Sequence, residues 1–310
     1  MLSSTARERL TRIGATLFER GWLSSNNILI TGSSGASALI DSGYCTHADQ
    51  TVDLVEEGLG GRRLGLLLNT HLHSDHCGGN AALQRRHPAL QTLIPSGSAE
   101  AVRLWDTEAL SYASTGQQCP RFSFDGVVRP GEKLRLGDWT WEVHGAKGHD
   151  PHAIVLFQPD NSVLLSADAL WQNGFGVVFP ELEGLSAFDE VGQTLDCIES
   201  LSPEVIIPGH GGAFEDLQLA LERARSRLRR FMEFPEQHLR HAHKVLIKFK
   251  LLECKSINFQ HLLRWVEQTP YLAKAASSKE PARTQWLEEL IFDLERSQAI
   301  KREGDLILDL

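Results

Sequence analysis

The chain has 310 residues, of which 42% are hydrophobic and 23% are charged, as in ordinary soluble globular proteins. Its formal net charge of −9 argues against general nucleic-acid binding, although it leaves room for a local basic patch. This length suffices for one large hydrophobic core, or for a large domain with a small appendage.

The cysteines, the N-terminus and the hydropathy pattern bear on where the protein resides. The five cysteines are scattered and none forms a C-x-x-C pair, which favours a reducing compartment. The N-terminal residues lack the apolar segment of a secretory signal, and no run of about 18 apolar residues appears. We therefore expect a cytoplasmic protein that does not enter a membrane.

Up to about residue 213, short apolar runs are separated by Gly, Pro, Asn and Asp, a pattern typical of strands and turns. Strands are predicted over residues 27–31, 36–43 and 64–70, two more within 133–146, and a hairpin over 153–170. Helices are predicted over residues 47–58, 77–87, 97–110 and 187–201. Strands interleaved with helices, including antiparallel hairpins, favour two sheets that are covered by helices.

After about residue 213 the pattern becomes helical, with few glycines. Helices are predicted over residues 216–234, 241–253, 258–268 and 282–300, and residues 301–310 are predicted to form a closing strand or hairpin arm. The sequence therefore predicts a first domain over residues 1–213 and a small helical C-terminal domain over residues 214–310.

The densest cluster of chemically active side chains directly follows the predicted strand at 64–70. His71, His73, Asp75 and His76 lie within six residues. Since alternate residues of an extended chain point to the same side, His71 and His73 can face one ion. Imidazoles and carboxylates are the usual ligands of zinc, iron or manganese, so the segment predicts a metal site.

Three more metal-capable residues follow predicted strands further along the chain: His149, Asp168 and His210. Strand ends are rigid platforms beside loops, where sites are commonly built. Taken alone, each could be a satisfied histidine or a turn aspartate. Together with the first cluster, they indicate one site assembled from several strand ends.

The ordered motifs HxHxDH, GH, a strand-terminal Asp and GHG resemble the metallo-β-lactamase superfamily, and more closely its glyoxalase-II-like branch, over about residues 20–213. The resemblance implies an α/β (α+β) fold, the αββα sandwich, with metals at one edge of the two sheets. It also implies two divalent ions, zinc first, with iron or manganese as alternatives. In this pattern one ion is held by His71, His73 and His149, the other by Asp75, His76 and His210, and Asp168 bridges them.

Two details of the motifs refine this expectation. Asp168 stands where β-lactamases with a cysteine ligand need that cysteine, which argues against β-lactam hydrolysis as the native activity. Many relatives read GH-x-P-G-H in the second motif, whereas residues 148–152 here are one residue shorter. We therefore expect His149, which follows a glycine and matches the motif, to be the ligand in preference to His144 or His152.

Two metal ions that share a water lower its pKa toward neutrality, which gives a hydroxide nucleophile at physiological pH. A nucleophilic serine is then unnecessary, and the sequence contains no G-x-S-x-G motif. The expected function is hydrolysis of a small-molecule ester, with a thioester or lactone favoured. Asp75 is assigned a second, catalytic role, in which it orients the hydroxide or takes up its proton.

The segment after Asp168, residues 169–184, combines aromatic residues with glycines. We interpret Trp171, Phe175 and Phe179 as substrate-binding residues in an apolar pocket wall. An ordinary hydrophobic loop packed under a helix is the alternative.

Residues 221–255 hold ten Arg and Lys residues against four acidic ones. The preferred interpretation is a solvated helix face with partners at i,i+4 spacing. The alternative is a surface for an RNA backbone or an anionic substrate tail, and some superfamily members with a winged-helix-like appendage act on nucleic acid. The C-terminal unit could also cap the active site or form a homodimer interface.

Other functions therefore remain alternatives to ester hydrolysis. They are a phosphodiesterase or ribonuclease that uses the basic helices, an iron-dependent sulfur dioxygenase, and a regulator without catalysis. The redox diiron branch of the superfamily is disfavoured, because it replaces a ligand histidine and adds a flavin domain. The expected partner is a small-molecule substrate, with nucleic acid not favoured.

Overall fold

A computed structural model describes residues 2–33, 36–276 and 282–310. The strands are β1 (Ala15–Phe18), β2 (Asn27–Thr31), β3 (Ala36–Ile40), β4 (Arg63–Leu68), β5 (Gln91–Pro95), β6 (Gly126–Val128), β7 (Lys133–Leu136), β8 (Trp139–Gly145), β9 (Ile154–Gln158), β10 (Val163–Ala167), β11 (Val205–Pro208), β12 (Ser256–Asn258), β13 (Ile300–Glu303) and β14 (Leu306–Asp309). The helices are α1 (Ser4–Arg12), α2 (Ala48–Leu59), α3 (Ser74–Cys77), α4 (Asn80–Arg86), α5 (Ala99–Leu104), α6 (Tyr112–Thr115), α7 (Phe179–Glu183), α8 (Phe188–Leu201), α9 (Leu217–Glu233), α10 (Pro235–Cys254), α11 (Phe259–Gln268), α12 (Pro270–Ala276) and α13 (Ala282–Arg296).

The first sheet has the strand order β1-β2-β3-β4-β5-β6. Its first two pairings are antiparallel, and β3 to β6 run parallel. Side chains alternate between its two faces. On the outer face, Leu39 and Leu67 belong to a buried cluster with Val55 of α2 and Leu83 of α4, so these helices cover that face.

The second sheet has the order β11-β10-β9-β8-β7, in which only β10 and β11 pair in parallel. Ile30 and Leu68 of the first sheet share a buried cluster with Trp141 and Leu165 of the second. The outer face of the second sheet is covered by α8 and α9. The layers are therefore helix, sheet, sheet and helix, which confirms the predicted αββα sandwich.

The packing changes after α9 rather than at residue 213. Leu221 and Leu228 of α9 belong to the same buried cluster as Leu164 and Ile206 of the second sheet. From α10 onward, the apolar side chains belong to a different cluster, which joins α10, α11, α12 and α13 and also includes Val177 and Leu182 of the first domain. The predicted boundary between residues 213 and 214 thus lies one helix before this change of core.

The C-terminal unit contains strands as well as the predicted helices. Its three-stranded sheet has the order β12-β14-β13, and residues 301–310 contribute to the β13–β14 hairpin. The order of elements in this unit is therefore helix, strand, three helices and a hairpin. The three residues of β12 are too few to show an alternating pattern in the sequence.

Several helix bounds differ from their predictions for local reasons. The helix predicted over 97–110 ends at Leu104, because Trp105 adopts a left-handed conformation with φ of 58°. The helix predicted over 241–253 begins at Pro235, a residue suited to the first turn because its fixed φ matches the helix. Of the helices in the described residues, none is both long and apolar enough to cross a membrane.

Candidate metal centre

The seven predicted ligands follow four strands of the sandwich. One cluster follows β4, and single residues follow β8, β10 and β11. Within the second sheet these last three strands run in the same direction, so their carboxyl ends share one edge. We call the side chains gathered there the metal edge: His71, His73, Asp75, His76, His149, Asp168 and His210.

Three histidines of the metal edge form one group whose ligand atoms lie within 4.8 Å of one another. His149 Nε2 lies 2.8 Å from His73 Nδ1 and 3.2 Å from His71 Nε2. All three side chains are buried. The structure therefore brings together the residues that were expected to hold one ion.

Asp75, His76 and His210 form a second such group. The Nε2 atom of His210 lies 3.0 Å from Asp75 Oδ2, and the Nε2 atom of His76 lies 3.8 Å from the same oxygen. Asp168 lies between the groups, since Oδ1 is 3.3 Å from His76 Nε2 and Oδ2 is 3.4 Å from His149 Nε2. This is the position that a bridging carboxylate requires.

Hydrogen bonds behind the rings point the ligand nitrogens inward. His149 donates from Nδ1 to the Val177 carbonyl at 2.5 Å, which leaves the Nε2 lone pair facing His71 and His73. His76 Nδ1 donates to Asp41 Oδ2 at 2.8 Å. Such outer partners fix the tautomer and orientation of ligand histidines.

Asp41 serves a second ligand through Thr70, and the sequence reasoning missed both residues. The Thr70 hydroxyl donates to Asp41 Oδ2 at 2.7 Å and lies 3.2 Å from His71 Nδ1. The Thr70 N–H also donates to Asp41 Oδ1 at 2.8 Å. The signal was present, because Asp41 directly follows the apolar strand β3 just as Asp168 follows β10.

The donor set fits cations. The Nε2 atom of His76 is buried and makes no well-aligned hydrogen bond in the described structure. The lone pairs of His71 Nε2 and His149 Nε2 face each other at 3.2 Å, an arrangement that is unfavourable unless a positive charge lies near both. Imidazole nitrogens with carboxylate oxygens suit zinc, iron or manganese.

The electrostatics agree with this fit. Burial alone would raise the pKa of Asp168, but His210 and His76 more than offset it and hold the pKa well below its usual range. Burial, together with neighbouring His149, lowers the pKa of His73 to about 4. Burial and the surrounding histidines likewise lower the pKa of His71. Asp168 is thus held as an anion, and His71 and His73 as neutral imidazoles, the forms that bind metals. His76 differs, because burial would lower its pKa but Asp168, Asp41 and Asp75 outweigh burial and raise it.

Two glycines allow the close approach of these loops. A Cβ on Gly209 would lie 2.2 Å from Asp168 Oδ1, and a Cβ on Gly176 would lie 2.4 Å from His149 Nδ1. Any side chain at either position would displace a proposed ligand, so glycine is required at both.

The metal edge forms one wall of a cavity of about 430 Å³. Trp171 and Phe179 line this cavity, as the substrate-binding prediction requires. Phe175 does not, because its buried ring packs against Phe231 in the hydrophobic core. The structure therefore corrects the placement of Phe175 in the pocket wall.

Trp22, which the sequence reasoning missed, also lines the cavity. Its ring stacks on His210 with centroids 5.3 Å apart and meets Trp171 edge-on at 5.4 Å. The side chain is 57% exposed, so it borders the cavity mouth. It precedes β2 in an otherwise polar stretch, and nothing in its local pattern marks it as part of the site.

The other candidate residues lie outside the metal edge. His144 is on β8 and lies beside Glu142, at 3.5 Å. His152 is exposed and packs over Gly97. Cys77 is fully buried, and its Sγ lies 3.1 Å from the Tyr112 hydroxyl. The placements of His144 and His152 agree with the preference for His149.

A family model described as the metallo-beta-lactamase superfamily matches residues 20–210, more than half of the chain. The chain belongs to the metallo-beta-lactamase superfamily. The matched range ends at His210 and contains all seven residues of the metal edge. The prediction of an enzyme of this superfamily is confirmed, whereas the role of each residue stays a prediction.

Among curated relatives, the human acyl-coenzyme A thioesterase MBLAC2 is 26% identical over 208 residues, covering 62% of this chain and 73% of that protein. The hydroxyacylglutathione hydrolase of Trichormus variabilis is 25% identical over 224 residues, covering 70% of this chain and 77% of that protein. The human mitochondrial persulfide dioxygenase ETHE1 is 28% identical over 116 residues, covering 37% of each chain.

Among solved structures, the metallo-beta-lactamase family protein TTHA1429 from Thermus thermophilus matches with a TM-score of 0.56 and 20% identity. The match covers 96% of this chain and 99% of that one. The shared fold therefore extends beyond the sandwich into the C-terminal unit.

Proposed function

We propose that this protein is a metal-dependent hydrolase that cleaves a thioester, with two zinc ions as the favoured metals. The observation that carries the proposal is the metal edge itself. Two groups of three ligands flank Asp168 on the wall of a cavity large enough for a small-molecule substrate.

The curated relatives favour a thioester over other esters. An acyl-coenzyme A thioesterase and a hydroxyacylglutathione hydrolase both act on acyl groups carried by a thiol, as their names state, and each matches more than 60% of this chain. A lactone remains a second ester-type substrate for the same chemistry, because the same attack on a carbonyl carbon opens it.

When bound, two divalent ions supply a water of lowered pKa as nucleophile and polarise the substrate carbonyl oxygen. The chain supplies the positioning. Asp41 holds His76, and through Thr70 also His71, while the Val177 carbonyl holds His149. Trp171 donates from Nε1 to Asp168 Oδ1 at 3.3 Å, which steadies the carboxylate between the two groups.

Asp75 is the proposed catalytic carboxylate. It borders the cavity, and its Oδ2 atom lies 3.0 Å from His210 Nε2. Burial would raise its pKa, but His76 and His210 outweigh burial and lower it, so the group is an anion at neutral pH. An anion in this position accepts a hydrogen bond from the nucleophile. Asp75→Asn should therefore lower turnover more than it lowers metal content, and an equal loss of both would remove the catalytic role.

The proposal is tested with zinc-loaded protein and a panel of acyl-coenzyme A, acylglutathione, lactone, phosphodiester and RNA substrates. We expect thioester cleavage to give the highest kcat/KM. Cleavage of the phosphodiester or RNA in preference to every ester would replace the thioesterase proposal with a nuclease.

Iron-dependent sulfur dioxygenation is the second candidate, and the match to a persulfide dioxygenase supports it. That match covers 37% of this chain, less than the thioesterase matches. Oxygen uptake with a persulfide substrate, in protein that holds one iron per chain, would favour this candidate.

A further inference from the structure

A second concave surface lies beside the catalytic cavity, between α9 and α10, with a volume of about 910 Å³. Glu222 is the one carboxylate among the residues that line it. We call this surface the basic groove, after its basic lining residues: Arg223, Arg227, Arg230, Arg240, His241 and Lys244.

Three arginines of the basic groove have no carboxylate partner in the described structure. Arg223 donates to Asn173 Oδ1 at 2.8 Å, Arg227 to the Phe175 carbonyl at 3.3 Å, and Arg230 to Gln237 Oε1 at 2.5 Å. All of these acceptors are neutral. Within the described residues, three guanidinium groups on one surface of an acidic protein therefore make no contact with a carboxylate.

The pairing of the other basic residues shows that this is a local feature. Arg225, also on α9, contacts Asp196 and Glu199. Arg240 and Lys244 of α10 share Asp293 at 2.9 and 3.5 Å. Arg240 and Lys244 thus line the groove with a carboxylate partner, whereas Arg223, Arg227 and Arg230 line it without one in the described structure.

The basic groove is continuous with the catalytic cavity. Asn173, Arg227 and His241 line both. The guanidinium carbon of Arg227 lies 2.6 Å from where a Cβ on Gly174 would be, so this arginine packs directly on the loop that follows Asp168. A substrate whose reactive carbonyl lies at the metal edge can therefore extend a tail into the groove.

We propose that the basic groove binds the phosphate groups of the thiol carrier, so that the substrate is an acyl thioester of the coenzyme A type. The proposal rests on the proposed thioester hydrolysis. Guanidinium groups bind phosphate oxygens through paired, charge-assisted hydrogen bonds. A carrier with several phosphates matches three free guanidinium groups better than glutathione, whose own ammonium opposes part of its carboxylate charge.

Hydrolysis of the thioester needs water as its only second reactant. The acyl C–S bond breaks and a C–O bond forms with the oxygen of water. The phosphorylated carrier leaves as a thiolate, which takes up a proton. The groove holds the carrier during this step and exchanges no electrons or atoms with it.

The activity test compares two thioesters with the same acyl group, one on coenzyme A and one on pantetheine, which lacks the nucleotide and its phosphates. The quantity measured is the ratio of the two kcat/KM values. The test variant is the double substitution Arg223→Gln and Arg230→Gln. The matched control is Arg229→Gln, a neighbour on α9 that is exposed and does not line the groove.

We expect the wild-type protein and the Arg229→Gln control to prefer the coenzyme A thioester to the same degree. In the double variant this preference should fall by roughly tenfold or more, the effect of losing charge-assisted hydrogen bonds to phosphate. An unchanged preference in the double variant, or a wild-type preference for acylglutathione, would overturn the proposal.

A binding measurement separates failure of this proposal from failure of the proposed function. Adenosine 3′,5′-bisphosphate is titrated into each protein by calorimetry, which needs no turnover. Binding by the wild type and the control, weakened in the double variant, supports the groove even if no thioester is cleaved. The proposal fails if the nucleotide does not bind, or if a single-stranded RNA binds the groove more tightly at physiological salt.

Discussion

The metal edge and the basic groove are adjacent, yet their charges are organised in different ways. At the metal edge, carboxylates and imidazoles are brought together by strand ends and held by hydrogen bonds from outer residues such as Asp41. In the basic groove, Arg223, Arg227 and Arg230 lie together without a carboxylate partner in the described structure, and Arg223 and Arg230 donate only to neutral groups. The first region is built to hold cations and the second to hold anions.

This difference shows what residue type alone can reveal. Histidines and aspartates at four strand ends have few structural uses other than metal binding, so their order in the sequence predicts their function. Arginines on a helix have many uses. Arg225 contacts two carboxylates and Arg230 contacts none, although both lie on α9. Only the positions of their partners distinguish the two.

Substitution of Asp168 is the most severe test of whether the metal edge is required for catalysis. Asp168→Ala is expected to lower kcat/KM by about a thousandfold, since a bound metal contributes several kcal/mol to the transition state. Asp196→Ala removes an exposed partner of Arg225 and should change kcat/KM by less than about twofold. Steady-state kinetics and metal analysis check both. Similar losses in the two variants would contradict the assignment.

Substitution of Asp41 tests whether outer residues tune the metal edge. Asp41→Asn should weaken metal affinity by about 10- to 100-fold, because it removes the carboxylate that orients His76 and, through Thr70, His71. Asp53→Asn, on the exposed face of α2, is the control. Competition with a chromogenic chelator measures the affinity, and equal affinities in the two variants would argue against this role.

Acid should weaken the contact that His238 of α10 makes with the loop after Asp168. This buried side chain of α10 accepts a hydrogen bond at Nε2 from the Val178 N–H, 3.1 Å away. Burial lowers its pKa to about 4, with His241 and His243 adding to the shift. Because the folded pKa lies below the unfolded value, the stabilisation is complete above about pH 6.5 and is lost as the pH falls toward 4.

Between pH 7.5 and pH 5, protonation of His238 should therefore lower the free energy of unfolding by about 2 kcal/mol. His238→Gln keeps an acceptor that does not titrate, so the variant should lose less stability than the wild type over this range. Urea unfolding at the two pH values provides the comparison. Identical losses would show that His238 does not couple α10 to the catalytic loop.

The smallest expected effect concerns Trp171, which links the cavity wall to Asp168. Trp171→Phe removes the N–H donor and keeps an aromatic ring, and we expect kcat/KM to fall about three- to tenfold, the value of one hydrogen bond. Trp139→Phe loses a similar hydrogen bond to the Arg12 carbonyl, far from the cavity, and serves as control. A larger fall in kcat/KM for the Trp139→Phe control would contradict the role of Trp171 in holding Asp168.

The sequence was sufficient for the sandwich and for the set of ligand candidates, because both follow from local patterns. Strands such as β4 and β10 are apolar runs, and each ligand lies within eight residues of the end of its strand. Asp41 was overlooked although it directly follows β3, as Asp168 follows β10. Trp22 was missed because its partner His210 is distant in sequence and nothing local marks it. Phe175 was misplaced because nothing in a loop of aromatic residues and glycines shows which ring turns toward the core.

In the basic segment, residues 221–255, the sequence likewise could not show which residues become partners. The sequence predicted ion pairs at i,i+4 spacing, whereas Arg240 and Lys244 contact Asp293 of α13 and Lys248 contacts Asp309 of β14. These partners come from other elements of the fold. Charge counting finds the basic segment but cannot separate its paired residues from the unpaired ones that line the groove.

The most direct test of the central claim is metal quantification on protein purified without chelators, followed by removal and return of the metal under a thioesterase assay. The metal edge has ligands for two ions, so we predict close to two divalent ions per chain, loss of activity on chelation, and recovery when zinc returns. Full thioesterase activity in metal-free protein would contradict the account.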